Sequence, residues 1–466
     1  LWAANDTGAL RAERDTMAAQ YSSSPSEETH PDKDFELHWS LYPKTYIAPY
    51  IATPLEINGD INKAEWSRIP WSSTFGDITG NNDEGGPGPK YTQRTQMKMA
   101  WDEDYLYIAA ILHSDFPMVA SFTNRNDPIY RKDSDFEVFL DPSHSCHYYK
   151  EFEVNPINTV WNLMLDKPYL DDGREHSARI AKEGDALYYE VKNQKTATKI
   201  LSGSVNNHED EKATNIWAVE IAMSHSDTLA HLPSSTFKKP KVFDRWRFNS
   251  LRVEKEEKIT WSWQPQIVWD PAQRKCIGKV NMHLPDAWGY VQFADAIPAL
   301  DLARDEKNNS EKSKIHNSNV VGEVVGVDDR DYRRDPSWPA KVTAMNIYYA
   351  QQYYKETNPN GKYAASLDEL GSLIDMDIMR PFTAERSSCG NDAIVITLNS
   401  VSSQNKEDTQ DIENDSKIGG DREGFTVKVV IPDNGWTVTV SNDRHMRVFP
   451  PSNSQSAGEG TLVDKR

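Results

Sequence analysis

Between residues 46 and 293 the chain is written in short alternating apolar and polar runs separated by turns. Thr95, Met97, Met99 and Trp101 alternate with Gln96 and Lys98, Asp102-Glu-Asp104 predicts a turn, and 105–112 predicts the returning strand. Phe136, Val138 and Leu140 alternate with Glu137, Phe139 and Asp141, and Phe152 and Val154 alternate with Glu151, Glu153 and Asn155. Trp161, Leu163 and Leu165 alternate with Asn162, Met164 and Asp166, and Trp217, Val219 and Ile221 flank Glu220 on the same period. Further strands are predicted over 245–253, 259–264 and 290–293. A strand sends successive side chains to opposite faces, so each run defines one apolar face and one face rich in carboxylates and amides. Many short strands with turn residues between them predict an all-β antiparallel sandwich.

The pattern changes on both sides of this region. Residues 1–36 are rich in Ser, Glu, Asp and Thr and read as a flexible leader. The sandwich domain is assigned to 37–296, a charged linker to 297–335, a small α+β domain to 336–450 and a tail to 451–466. In the α+β part, Val342, Met345, Tyr349 and Tyr353 fall at helical spacing behind Pro339, a residue suited to a first helical turn. Ser366-Leu-Asp-Glu-Leu370 predicts a short capped helix. A strand is predicted over 391–398, and 425–431 and 436–440 flank Pro-Asp-Asn-Gly, a hairpin signal. The fold class is therefore mainly β: an antiparallel sandwich followed by a small α+β domain.

Composition sharpens this picture. The chain has 466 residues and 14 Trp, most of them inside the alternating region, where they demand a core. A formal net charge of -19 repels nucleic-acid phosphates and anionic lipid, which disfavours a nucleic-acid partner. No run of 18 apolar residues predicts a membrane span. Leu1-Trp-Ala-Ala reads either as the end of a removed signal peptide or as an artificial chain boundary. Asn5-Asp-Thr, Asn308-Asn-Ser and Asn414-Asp-Ser are sequons, which fit a secreted glycoprotein. Three cysteines, Cys146, Cys276 and Cys389, argue against a disulfide-dense scaffold and leave one bridge open, with Cys146 to Cys276 as its candidate.

No phosphate-binding glycine loop is present: Gly85-Gly86-Pro87-Gly88 lacks the Lys-Ser/Thr that would follow. Glu137, Glu151 and Glu153 share a face if their strands pair, which is either a solvated or calcium-holding sheet face or a pair of hydrolytic carboxylates. A sugar offers an apolar C–H face to aromatic rings and hydroxyls to planar polar groups. Tyr130, Trp161, Trp261, Trp263, Trp269 and Trp288 are candidates for the first role, while Trp101, Trp217 and Trp246 read as core. Calcium is the metal that abundant hard oxygen ligands would suit, with Asp60 and Asp141 at turns as candidate ligands; capping of those turns explains both residues equally well.

Several segments together resemble the family 9 carbohydrate-binding modules, most closely a branch of stand-alone family 9-like proteins. Ile57-Asn-Gly-Asp-Ile-Asn-Lys-Ala-Glu-Trp66 is similar to the family's opening signature. The segment from Thr95 to Ala110, containing Met99-Ala-Trp-Asp-Glu-Asp-Tyr-Leu-Tyr-Ile108, is similar to its central strand pair, and Asp133-Ser-Asp-Phe-Glu-Val-Phe-Leu-Asp-Pro142 to its Glu-bearing strand. Tyr148-Tyr-Lys-Glu-Phe-Glu-Val-Asn-Pro156, Thr159-Val-Trp-Asn162, Trp217-Ala-Val-Glu-Ile221, Trp246-Arg-Phe-Asn-Ser-Leu-Arg-Val-Glu254, Trp261-Ser-Trp263 and the segment 282–293 follow in order. The resemblance implies a calcium-containing sandwich that holds a sugar end unit between two aromatic rings, with a Glu, an Arg and amides on its hydroxyls. Glu137 matches the strand Glu and Tyr130 lies near the first aromatic slot. Glu153 occupies the Arg slot, the second aromatic slot falls around Met282-His283, and Asn162 stands where the branch usually has Asp. Asn346-Ile-Tyr-Tyr-Ala-Gln-Gln-Tyr-Tyr354 with the loop after it resembles pilin-like proteins, without their hydrophobic N-terminal helix.

The resulting expectation is a secreted, non-catalytic protein that binds a glycan or oligosaccharide. Tyr130 and one of Trp161 or Trp263 would stack on the sugar, Glu137, Glu153, Asn155 and Arg252 would meet its hydroxyls, and His283 would rim the pocket. The alternatives are a glycoside hydrolase using Glu137 with Glu151 or Glu153, and a scaffold docking a protein partner through 336–450. A haem or redox role lacks an evident Met/His ligand pair and ranks last.

Overall fold

The computed structural model describes residues 34–83, 85–207, 214–234, 236–254, 258–295, 334–382, 393–400, 423–432 and 434–451. The leader up to residue 33, nearly all of the linker, the three sequons, Cys389 and the tail beyond residue 451 lie outside them. The chain divides into two units: a larger one of Pro43–Val268 and Ile277–Arg333, and a smaller one of Leu1–Tyr42, Trp269–Cys276 and Arg334–Arg466.

The strands run in chain order as β1 (Thr45–Pro49), β2 (Gly76–Asp77), β3 (Thr95–Trp101), β4 (Tyr105–Ser114), β5 (Ser134–Asp141), β6 (Tyr149–Val154), β7 (Val160–Leu165), β8 (Glu175–His176), β9 (Lys195–Ser202), β10 (Asn215–Ser224), β11 (Arg245–Glu254) and β12 (Ile259–Ser262). A hairpin of β13 (Ile267–Asp270) and β14 (Lys275–Gly278) precedes β15 (Gly289–Ala294). In the larger unit one sheet has the order β3-β4-β10-β9, and the other β1-β15-β11-β5-β6-β7-β8, with β12 and β2 off that path. Pairing is antiparallel in both, except that β1 runs parallel to β15.

The alternation sorts cleanly into faces. Met97, Met99 and Trp101 of β3, Ile108 and Leu112 of β4, and Trp217, Val219 and Ile221 of β10 form one apolar cluster with Phe136, Val138 and Leu140 of β5 and Phe152 of β6. This cluster is the layer between the sheets, where each buried aromatic or aliphatic side chain contributes about 1.5–3 kcal/mol. The outer faces are covered too. Leu55, Ile61, Trp66 and Ile69 pack on Ala100, Tyr107, Ala109, Ala218 and Ala222, on the far side of the smaller sheet. Ile78, Ile129, Met282 and Trp288 pack on Phe139, Tyr149, Leu163, Leu165, Leu251 and Val253, on the far side of the larger one. The carboxylate-bearing face is therefore roofed by loops and is not the solvated face that alternation alone suggests.

In the smaller unit the helix Trp338–Thr357 packs on an antiparallel sheet of β16 (Ile394–Ser400), β17 (Glu423–Val430), β18 (Thr437–Ser441) and β19 (Met446–Phe449). The helix buries Ala340, Ala344, Ile347 and Tyr348 and keeps Val342 and Tyr349 only partly covered, so the packing stripe is offset from the expected one, with Met345 common to both. Small alanines on that stripe let the helix approach the strands closely. Ser366 caps the short helix Leu367–Leu370 by accepting from Glu369 N–H. Residues assigned from sequence to the leader and the start of the sandwich belong here: Phe35 is in this core, Leu37, Trp39 and Leu41 pack against it, and Trp338 Nε1 donates to His38 O at 2.8 Å. Trp269 is also structural, donating from Nε1 to Leu373 O at 2.8 Å. Cys146 is buried, Cys276 is exposed, and the two do not bridge.

Candidate functional site

The registers of β11, β5, β6 and β7 lay Leu251, Glu137, Glu153 and Trp161 in one row across the larger sheet, and Asn249, Phe139, Glu151 and Leu163 in the next. Directly opposed residues share a face, with Cβ atoms about 4.5–5.5 Å apart. Glu137, Glu151 and Glu153 therefore stand together on the outer face, as the alternation predicts. Their relative exposures are only 7%, 7% and 2%. Burial raises the Glu153 carboxyl well above its ordinary range, and the charges of Glu137, Asp135 and Glu151 push it further the same way. A side-chain hydrogen bond between Glu153 and Glu151 favours the protonated form of Glu153 as well.

Aromatic groups surround the row. Tyr130, on the short helical turn Ile129–Arg131, meets the Trp161 ring edge-on with centroids 5.0 Å apart. The Arg179 guanidinium lies over that ring at 3.3 Å and is held by Glu175 at 2.5 Å and by Asn162 O at 2.8 Å. Trp161 is thus covered on one face by Arg179, which leaves that face closed to a sugar. His283 shares a hydrogen bond of 2.9 Å with Tyr149 OH, and its ring meets Tyr169 at 4.7 Å. Burial lowers the His283 pKa, against the opposing pull of Glu151. Tyr169 is 48% exposed. Its phenol is held un-ionised by partial burial and by the charges of Glu151 and Glu175.

The loops that carry these rings are pinned by polar groups. Asp133 accepts from Ser121 N–H, Phe122 N–H and Asn155 Nδ2, while Asn155 also donates to Phe122 O and accepts from Ile157 and Thr159 N–H. Asn155 is fully buried and spends its amide on this loop, so it positions Tyr130 and is not itself available to a ligand. Gly173 closes the loop behind Tyr169, where a Cβ would stand 1.8 Å from Lys167 O.

Two expected sugar contacts lie on the other side of the sheet. Arg252 pairs with Phe136 of β5, so it shares the inner face, one residue out of phase with Glu137. It is fully buried, ion-paired to Glu254 at 2.8 Å, donating to His113 O at 2.5 Å and lying over the Trp261 ring. Trp263 is in the inter-sheet core against Phe248, and Trp261 is in the same cluster. Trp288 is buried in the outer cluster. Both candidate metal ligands cap turns: Asp60 accepts from Asn62 N–H, and Asp141 from Ser143 N–H, Ser143 Oγ and Cys146 N–H. Among the described residues no group of three or more His, Cys, Asp or Glu is placed to hold a metal ion.

Tyr169, Arg179 and Glu175 belong to the site without any periodic signal in the sequence. Tyr169 sits on a single helical turn and Arg179 on irregular chain after β7, while Glu175 is on the two-residue edge strand β8, too short to show a period.

Residues 57–162 match the family model described as Carbohydrate family 9 binding domain-like. No curated protein matches the chain. Among solved structures, the chain is similar to a candidate carbohydrate-binding protein from Bacteroides uniformis ATCC 8492, at 13% identity and a TM-score of 0.37, over 54% of this chain and 99% of that one. It is also similar to a family 9 carbohydrate-binding module from Caldicellulosiruptor kristjanssonii in complex with cellotriose, at 15% identity and a TM-score of 0.30, over 54% of this chain and 94% of that one. The same module in complex with glucose aligns at 15% identity and a TM-score of 0.31, over 55% and 100% of the two chains.

Proposed function

We propose that the larger unit binds carbohydrate on the outer face of its larger sheet, without catalysis of its own. The match of residues 57–162 to a carbohydrate-binding family model carries this reading. The face supplies chemistry suited to it: carboxylates Glu137, Glu151 and Glu153 on adjacent rows, with Tyr130, Tyr169 and His283 around them. A pyranose ring stacks on a half-exposed Tyr169 while its polar groups reach the carboxylates. Extracellular or envelope glycans are the natural targets of such a site in a secreted protein.

Calorimetry of the full-length chain against soluble oligosaccharides, with pull-down on insoluble glycans, tests the reading. Binding that weakens in Tyr169→Ala and Glu137→Gln is the expected result. A folded chain that binds nothing across the panel would overturn it. Turnover of chromogenic glycosides, lost in Glu137→Gln, would instead move the assignment to a hydrolase using that same carboxylate.

A further inference from the structure

Of the rings around the proposed site, Tyr169 is the most exposed, and its own segment does little to hold it. It stands on the single helical turn Tyr169–Asp171, none of whose residues is buried. Tyr169 is 48% exposed and the neighbouring Leu170 69%. Asp171 and Gly173 N–H both donate to Pro168 O, which fixes the backbone of the turn and leaves the direction of the phenol ring open. That direction matters, because the phenol is within electrostatic reach of Glu151, Glu175, Tyr130 and Arg179, beside the carboxylate face.

The ring contact of Tyr169 comes from a distant segment. The His283 imidazole meets the phenol with centroids 4.7 Å apart and the ring planes at 78°. His283 is itself firmly mounted. Its backbone N–H donates to Asn281 Oδ1 at 2.9 Å, and the indole of the fully buried Trp288 donates to the preceding carbonyl, Met282 O, at 2.9 Å. Its ring packs nearly at right angles on Phe139 of β5, 5.9 Å away, and shares the 2.9 Å hydrogen bond with Tyr149 OH of β6. Phe139 and Tyr149 are both buried, so the imidazole braces the loop against the rigid sheet. Burial lowers its pKa against the pull of Glu151, which keeps it neutral at pH 7 and lets it pack as an aromatic ring.

We infer that His283 is a positioning residue for carbohydrate: it touches Tyr169 and not the sugar, and it holds the phenol ring in the direction on which a pyranose stacks. The inference rests on the carbohydrate-binding reading and assigns a role within it. A ring already held in its bound direction loses less rotamer freedom when the ligand arrives. Removing the brace therefore weakens binding although no ligand contact is lost. The imidazole makes two separable contacts: its ring packs on Tyr169 and its nitrogen bonds Tyr149. The first serves binding and the second serves the fold.

The test is calorimetry of the full-length chain with cellotetraose, xylotetraose, mannotetraose and tetra-N-acetylchitotetraose, taking forward the one bound most tightly, with a thermal melt of every variant. His283→Phe keeps a ring and drops the hydrogen bond, whereas His283→Gln keeps a partner for Tyr149 and drops the ring. The expected result is a loss of about fivefold in affinity for His283→Gln and of less than about twofold for His283→Phe, whichever of the two melts lower. In a Tyr169→Ala background His283→Gln has no further effect on affinity, because the residue acts through that ring. A loss that persists in the Tyr169→Ala background would overturn the inference and make His283 a sugar contact. Affinity unchanged in His283→Gln, or lost equally in both variants, would also overturn it and leave carbohydrate binding standing. A folded chain that binds none of these sugars would overturn both readings.

Discussion

The buried carboxylate of Glu220 accepts the indole N–H of Trp66 at 2.6 Å. Lys63 pairs with that same Glu220 oxygen at 2.7 Å, and the other oxygen accepts from Gly59 N–H at 2.8 Å and Asn58 N–H at 3.0 Å. One side chain in the middle of β10 therefore anchors the whole segment Ile57-Asn-Gly-Asp-Ile-Asn-Lys-Ala-Glu-Trp66 to the outer face of the smaller sheet. Gly59 is required there: its φ is +80°, and a Cβ would stand 3.0 Å from Thr198 O. Glu220→Ala strands the two N–H groups, the indole and the Lys63 ammonium, and is expected to lower stability by about 3 kcal/mol, with Glu220→Gln costing less because it keeps an acceptor. Urea denaturation followed by Trp fluorescence measures both; equal, negligible losses would contradict the anchoring role.

Tyr169→Ala is expected to weaken sugar binding about tenfold with little change in stability, because the ring is half-exposed and sits at the rim. Calorimetry paired with a thermal melt separates the two effects. A lowered melting temperature with unchanged affinity would assign Tyr169 to packing alone.

Glu153→Gln is expected to stabilise the protein at neutral pH. Burial and three neighbouring carboxylates raise the folded-state pKa above the ordinary 4.5. Above that value the unfolded chain releases its proton while the folded one retains it, so this group makes stability fall as pH rises. The amide removes the penalty, by on the order of 1 kcal/mol, and its advantage vanishes near pH 4. Denaturation at pH 4 and pH 7 checks the sign.

Lys150 is buried under the inner layer, donates to Tyr148 O, and has its pKa lowered to about 7 by desolvation, against the pull of Asp141. Its unfolded value is 10.5, so between pH 7 and 10.5 the unfolded state binds more protons and stability rises with pH. Lys150→Met is expected to gain about 2 kcal/mol at pH 7 and below, less at pH 10. Thermal melts across that range would reveal it, and a loss at every pH would show that the hydrogen bond to Tyr148 dominates.

Acid should weaken both units. His225 in the larger and His38 in the smaller are fully buried, and desolvation lowers each to about 4 from 6.5. Between those values the unfolded chain takes up protons that the folded one excludes, so stability falls as pH drops from 6.5 to 4, by roughly 3 kcal/mol for each histidine. His225→Gln is expected to flatten that decline, which denaturation at pH 7 and pH 4.5 would measure.

The sequence by itself determined which residues travel together. Period-two alternation put Glu137, Glu151 and Glu153 on one face and Trp101, Trp217 and Trp246 on another, because a strand's geometry leaves a side chain only two directions. The Ser366 cap was legible for the same reason: the interaction is local. What only the tertiary structure decided is how strands align with distant strands and what covers them. Leu251, not Arg252, falls opposite Glu137, and this one-residue difference in register sends Arg252 to the inner layer. Trp263 reaches the same core, and Asn155 is consumed by a loop more than twenty residues earlier in the chain. Tyr169 and Arg179 joined the site from irregular chain, where no repeat in the sequence encodes direction. Residues 34–42 joined the smaller unit because Phe35 and Trp39 found apolar partners some three hundred positions away. Local geometry fixes the face of each residue; only packing between remote segments fixes which face becomes core and which becomes a site.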